Sequence, residues 1–279
     1  ERGETAPNRR LELIDALAYP FPVTVISDLL GIPREDRERI KGWTENLLRA
    51  DRPRGGVLDE QVRQGLRDFT AYLKELFVRK RGEPTDDMIS RMLQMEDGGD
   101  TLSQDETLAT VFLMYLAGHV TTVNLVGNGV VALLTHPEQW AKLQGDPTLA
   151  KNVVEETLRY WGPVDFVGRR TATHEMDVAG TTVAKGEQVT FSLAGANRDP
   201  AKFANPDAYD IARADANRHV AFGKGIHVCL GAPLARTEGQ VAFEMLARRY
   251  PNLRLAAPAD EIEWGGSFLR GFRQVPLLF

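Results

Sequence analysis

Ala221-Phe-Gly-Lys-Gly-Ile-His-Val-Cys-Leu-Gly231 holds the one cysteine of the chain, Cys229. A single thiol excludes an intramolecular disulfide and any multi-cysteine zinc site. Two readings remain: an inert buried thiol, or one thiolate that does chemistry. Gly223, Gly225 and Gly231 crowd around it, where they allow a tight turn and a close backbone approach to a flat object. A helical pattern starts just after the cysteine, from about Leu230 to Arg249. Amides at a helix start favour negative charge and so a thiolate.

Outward from this loop the chain reads as an ordinary globular protein, with 43% hydrophobic and 26% charged residues in 279. The net charge of −5 gives no support to a nucleic-acid role. No apolar run of membrane-span length and no signal-peptide pattern stand out, and a lone unpaired cysteine suits the reducing cytoplasm. The start at Glu1, without an initiator Met, is expected of a processed or truncated product.

Helical periodicity dominates. Arg10 to Leu30 reads as two short helices around Pro20 and Pro22, and Pro33 to Leu48 as a charged helix. From Leu58 to Arg81, Val62, Leu66, Phe69, Leu73, Leu76 and Phe77 recur at helical spacing. Asp86 to Gln94 is another helix. Ser103 and Glu106 form a capping box opening a long apolar helix to about Leu134. Thr135 with Pro137 starts the next, and Lys151 to Tyr160 is helical again. Val164 to Phe191 changes to short alternating runs with Gly180 and Gly186 in turns, as in antiparallel strands. Arg198 to Val228 looks irregular, and the tail after Leu253 reads as short strands. The expected fold is mainly α with a minor antiparallel β part, in a single domain.

A thiolate bound on one side suits an iron held in a macrocycle. Phe222, Gly223, Gly225, His227, Cys229 and Gly231 together resemble the heme-binding loop of cytochromes P-450. Six fixed types coincide by chance about once in tens of millions of start positions, at roughly one in twenty each. The resemblance runs from about Arg10 to Phe279. It implies the cytochrome P-450 fold in an N-terminally short form, one heme-thiolate domain over 1–279, and heme b (iron protoporphyrin IX) as cofactor. It makes Cys229 the axial thiolate, with Phe222, Gly223 and Gly231 shaping the heme seat. Arg170, with Arg169 as the competing register, and His227 fall on propionate-binding positions. Arg suits bidentate carboxylate contacts.

Ahead of the loop, two further stretches stand in the family's order, followed by the propionate arginine. Ala117-Gly-His-Val-Thr-Thr122 interrupts the long helix with a glycine, which costs roughly 1 kcal/mol against alanine. Close helix packing explains Gly118 equally well. Thr121 can bond back to the Ala117 carbonyl. The resemblance places Ala117, Gly118 and Thr121 over the heme, with Thr121 delivering protons. It also exposes a departure: Val120 stands where the family usually has Asp or Glu, and valine relays no proton. His119 is adjacent, but successive helical residues point about 100° apart. Glu156-Thr-Leu-Arg159 alone reads as a surface ion pair of small worth; the resemblance makes it a buried network with Arg213 that braces the cysteine loop. Leu113, Leu116, Val164, Phe166 and Phe268 would line an apolar substrate pocket, although core packing accounts for them as well.

The resemblance therefore implies a monooxygenase that inserts one atom of O2 into a small apolar molecule. Electrons would come from a ferredoxin and ferredoxin reductase or a similar donor, docking on the Cys229 side near Lys224 and Arg236. Val120, and the N-terminal portion the family carries ahead of Arg10, motivate a second reading: a heme protein with peroxide-driven or impaired turnover. A heme-free auxiliary protein is the third, and the intact loop argues against it.

Overall fold

The computed structural model describes residues 9–49, 59–97, 102–265 and 269–279. Strand β1 (Arg10–Glu12) leads through a π-helical turn, Ile14–Ala18, into α1 (Pro20–Leu30). Pro20 and Pro22 do not kink a helix; they occupy its first turn, where a missing N–H costs nothing. Helices α2 (Arg37–Arg49), α3 (Glu60–Gly82) and α4 (Met88–Asp97) follow. Next come α5 (Gln104–Thr135), α6 (Pro137–Gly145) and α7 (Ala150–Trp161). The capping box at Ser103 and Glu106 opens α5. The N-cap of α6 is His136, not Thr135, whose hydroxyl bonds back to the Val131 and Ala132 carbonyls.

Four short strands come next: β2 (Phe166–Thr171), β3 (Met176–Val178), β4 (Thr181–Val183) and β5 (Gln188–Ser192). They pair antiparallel as β2–β5 and β3–β4, turned by Gly180 and Gly186 at φ of 83° and 92°. One helical turn, α8 (Leu193–Ala196), precedes an irregular stretch that ends at α9 (Ala232–Arg249). Strands β6 (Arg254–Leu255) and β7 (Pro276–Leu278) return to β1, giving a three-stranded antiparallel sheet in the order β1-β7-β6. Leu11 lies opposite Leu277, so the two ends of the described chain meet.

Helix α5 belongs to both hydrophobic clusters. Val111 and Tyr115 pack with α1, α3 and α4 around Ile26, Phe69, Leu73, Phe77 and Ile89. Leu125 to Leu133 are buried without interruption, among Leu143, Val153, Leu158 and Phe243 from α6, α7 and α9. A helix apolar all round is a central helix. By length and apolarity alone α5 also matches a membrane span, with 39% of its most apolar window buried; its stretch from Leu125 packs against α7 and α9.

Glycine sets the helix spacing at this crossing. A Cβ on Gly129 would land on the Phe243 ring of α9, and one on Gly239 would lie 2.8 Å from Val154 Cγ2. Gly42, inside α2, has open space around it. Gly129→Ala is therefore expected to lower stability by about 1–3 kcal/mol through overpacking. Gly42→Ala is expected to raise it by about 0.5–1 kcal/mol through helix propensity. Urea denaturation of the two variants checks both signs.

Candidate functional site

Backbone bonds fold the cysteine loop back on itself. Gly223 N–H donates to the Val220 carbonyl at 2.8 Å, Val228 N–H to Gly225 at 3.0 Å, and Cys229 N–H to Phe222 at 2.9 Å. Gly223 and Gly225 sit at φ of 73° and 79°, a left-handed conformation that disfavours any side chain. Gly231 is the N-cap of α9, and its carbonyl receives the Ala235 N–H at 2.9 Å. Cys229 is consequently exposed at the mouth of a helix, two residues before its cap. Beside it Ile226 is 96% exposed and Leu230 84%. Large apolar side chains left this bare around a thiol form a wall without a protein partner. His227 is exposed on the same loop.

The structure brings Glu156, Arg159 and Arg213 together. Arg159 Nε and Nη2 donate to the two Glu156 oxygens at 2.7 and 2.8 Å, and Arg213 Nε donates to Oε1 at 3.2 Å. Asp210 N–H adds a fourth donor at 2.9 Å. The remaining guanidinium protons reach the carbonyls of Asn197, Pro206 and Ala208 from Arg159, and of Ala204, Asn205 and Ala208 from Arg213. The Glu156 and Arg159 side chains are fully shielded from solvent.

A second network, missed in the sequence, lies directly behind the loop. Glu155, the residue before Glu156, accepts from Arg236 Nε at 2.6 Å and Nη2 at 3.1 Å, and from His219 Nε2 at 3.1 Å. Burial alone would raise the Glu155 carboxyl, but the His219 and Arg236 donors hold it down at about 2. The Arg236 guanidinium lies 4.6 Å from the Phe222 ring centroid. Arg236 pairs with Glu155 while its side chain stays 36% exposed, and Lys224 is exposed on the loop. No sequence pattern signals this cluster, because its members lie 64 and 81 positions apart.

On α5, Thr121 Oγ1 donates to the Ala117 carbonyl at 3.0 Å, and the helix runs on unbroken. Leu113 and Ala117, one turn apart, are exposed on one face, with Leu116 and Val120 half-buried beside them. Gly118 turns elsewhere: its Cβ would lie 2.9 Å from Ile26 Cδ1 of α1, so close helix packing explains this glycine. His119 points into the core, donating from Nδ1 to the Tyr115 carbonyl at 2.6 Å, and burial lowers its pKa to about 4. It does not stand in for the acid absent at position 120. Glu238 of α9 is a carboxyl that sequence reasoning passed over. It is buried with Thr122 as its polar neighbour, and desolvation raises its pKa to about 7.

Val164 bridges Leu269 across the chain, and Gly271 presses so closely on the Asn124 side chain that no Cβ would fit. The start of β2 and the C-terminal segment thus meet α5 one turn beyond Thr121. Phe166 is 58% exposed. Phe268 lies outside the described residues. Arg170 is exposed, its Nη1 on the Gly168 carbonyl, whereas Arg169 reaches Gln188 across the β2–β5 pair.

A family model for cytochrome P450 matches residues 58–146 and 145–262. The chain belongs to the cytochrome P450 family. It is 44% identical over 273 residues to cytochrome P450 CYP107DY1 of Priestia megaterium, covering 97% of this chain and 65% of that protein. It is 40% identical to cytochrome P450 monooxygenase PikC of Streptomyces venezuelae, covering 98% of this chain and 64% of that one. A crystal structure of the myxobacterial cytochrome P450 CYP267B1 in complex with myristic acid superposes with a TM-score of 0.90 at 42% identity, over 98% of this chain and 67% of that one. The chain thus spans about two thirds of the length of the relatives it matches.

Cytochromes P450 bind heme. The donor set suits that group: one exposed thiol, and among the described residues no cluster of three or more His, Cys, Asp or Glu that could hold a free metal ion. A single soft sulfur binds iron whose other ligands come from a macrocycle.

Removing one partner of a fully buried ion pair leaves an uncompensated charge. Glu156→Ala is expected to cost about 3–5 kcal/mol in denaturant unfolding. Glu238 gives a pH signature. Its folded pKa lies above the unfolded value of 4.5, so its contribution is fully present below that value and is lost as pH rises to about 7. Glu155 has the opposite sign, contributing above 4.5 and losing that contribution as pH falls towards about 2. Between about pH 4.5 and pH 8, Glu238→Gln is expected to remove a stability loss on the order of 3 kcal/mol, measured by urea titration at each pH.

Proposed function

We propose that this chain carries the heme-thiolate centre of a monooxygenase that inserts one oxygen atom of O2 into a small apolar molecule. Electrons would come from a ferredoxin-type donor. The observation that carries this reading is the presentation of Cys229: the sole thiol, exposed just before α9, on a loop folded back by three backbone hydrogen bonds with Gly223 and Gly225 in left-handed conformation.

When bound, heme would supply the oxygen-activating redox chemistry. Cys229 would ligate the iron as thiolate, and second-shell contacts on such a sulfur tune its donation. Arg170 and His227, both exposed and cationic or proton-donating, would bind the propionates. Leu113, Leu116, Ala117, Val164 and Phe166 supply apolar surface that excludes water and orients a substrate by shape. Thr121 holds its hydroxyl proton on the Ala117 carbonyl, leaving its oxygen free to accept and pass on a proton. Lys224 offers a cationic contact to an acidic donor protein.

Val120 favours a second reading for turnover. A half-buried valine one residue before Thr121, with His119 turned into the core, leaves that position without a proton donor, so peroxide-driven turnover fits as well.

Titration with hemin tests the first reading. The chain is expected to bind about one equivalent with the absorption of a thiolate-ligated heme, and Cys229→Ser to lose that absorption; identical spectra for both would overturn it. Val120→Glu separates the two modes of turnover. Restored relay is expected to raise the fraction of oxygen-consuming turnovers that yield product, and an unchanged fraction would count against a missing proton donor at position 120.

A further inference from the structure

Behind the cysteine loop the charges run in sequence. Ala221 N–H donates to His219 Nδ1 at 3.1 Å, so the ring proton sits on Nε2 and is donated to Glu155 Oε2. Glu155 is thereby fixed from one side by His219 and from the other by the two-point contact of Arg236. Arg236, held this way, lies against the face of Phe222, whose carbonyl receives the Cys229 N–H. Arg236 stands within the first two turns of α9, the helix that Cys229 precedes.

The cluster is poorly explained as a stability device alone. Glu156 and its two arginines already tie α7 to the irregular stretch before the loop. Glu155 adds a second carboxylate at the adjacent position, aimed at α9 and the loop instead. A carboxylate that half-neutralises a cation next to a sulfur ligand leaves a net field at that sulfur set by both charges.

We propose that Glu155, clamped by His219, positions Arg236 against Phe222 so that this charge pair sets the electron donation of the Cys229 sulfur to bound iron. The proposal rests on the heme-thiolate reading. Arg236, Glu155 and His219 are positioning residues and touch neither substrate nor the reacting atoms.

Reduction of the iron adds negative charge, which a neighbouring cation favours and a neighbouring anion opposes. Loss of the cation in Arg236→Gln is expected to lower the reduction potential of the hemin-loaded chain. Loss of the anion in Glu155→Gln is expected to raise it. Arg236→Lys keeps the charge and is expected to stay close to the unsubstituted chain.

The test is a spectroelectrochemical titration of these four proteins. Shifts of opposite sign, with rescue by lysine, support the proposal; structural damage would move both variants the same way. Potentials that stay fixed, or fall or rise together, overturn it while leaving the heme-thiolate reading intact. Failure of the unsubstituted chain to take up hemin through Cys229 overturns that reading, and this proposal with it. If Glu155→Gln does not fold, the contrast between Arg236→Gln and Arg236→Lys decides the matter: equal potentials overturn the proposal.

Discussion

Taking the Glu156 carboxylate out of water is costly unless its oxygens find donors, and here Arg159, Arg213 and the Asp210 N–H supply them. In return the arginines gather five carbonyls from the stretch between Asn197 and Ala208. That stretch contains no long helix or strand able to satisfy its own backbone groups. Buried polar backbone must be paired somewhere, and two guanidinium forks do this at a distance. The connection between the β part and the cysteine loop therefore takes its shape from α7, although it is irregular in itself. Buried ion pairs do not in general raise stability over apolar equivalents; what this one supplies is a unique path for the chain.

From α7 the constraint passes to the loop through Glu155, which accepts from His219 ahead of the loop and from Arg236 on α9 behind it. Helix α9 is itself fixed by small-residue contacts at Gly129 and Gly239. The thiol is thus presented from a rigid base while its own surroundings stay bare: Ile226, Val228 and Leu230 are exposed apolar residues on the loop. Rigid support beneath an uncovered apolar mouth is what a flat prosthetic group requires.

Much of this was legible in the sequence because it is local. The capping box of α5, the apolar period of α3 and the glycines of the β part are patterns within a few residues, and each appears where its spacing puts it. Thr121 bonding to Ala117 is likewise an i−4 relation. What the sequence hid is non-local. Arg236 reads as an exposed cation on an amphipathic helix, and only the fold turns it onto Glu155. Gly118 reads equally as a packing residue or a site residue, and its neighbour Ile26 lies 92 positions earlier (118 minus 26). Glu238 carries no pattern at all, since burial of a carboxyl beside Thr122 depends on how α9 crosses α5.

The central claim is that this loop delivers Cys229 to iron as a thiolate. The absorbance spectrum of the hemin-loaded chain, reduced and under carbon monoxide, reads this directly, because a sulfur anion opposite the carbonyl shifts its main band strongly to the red. The account predicts that red-shifted band. A carbonyl complex with an unshifted band would contradict it, since it would mean that the chain holds heme without thiolate ligation by Cys229.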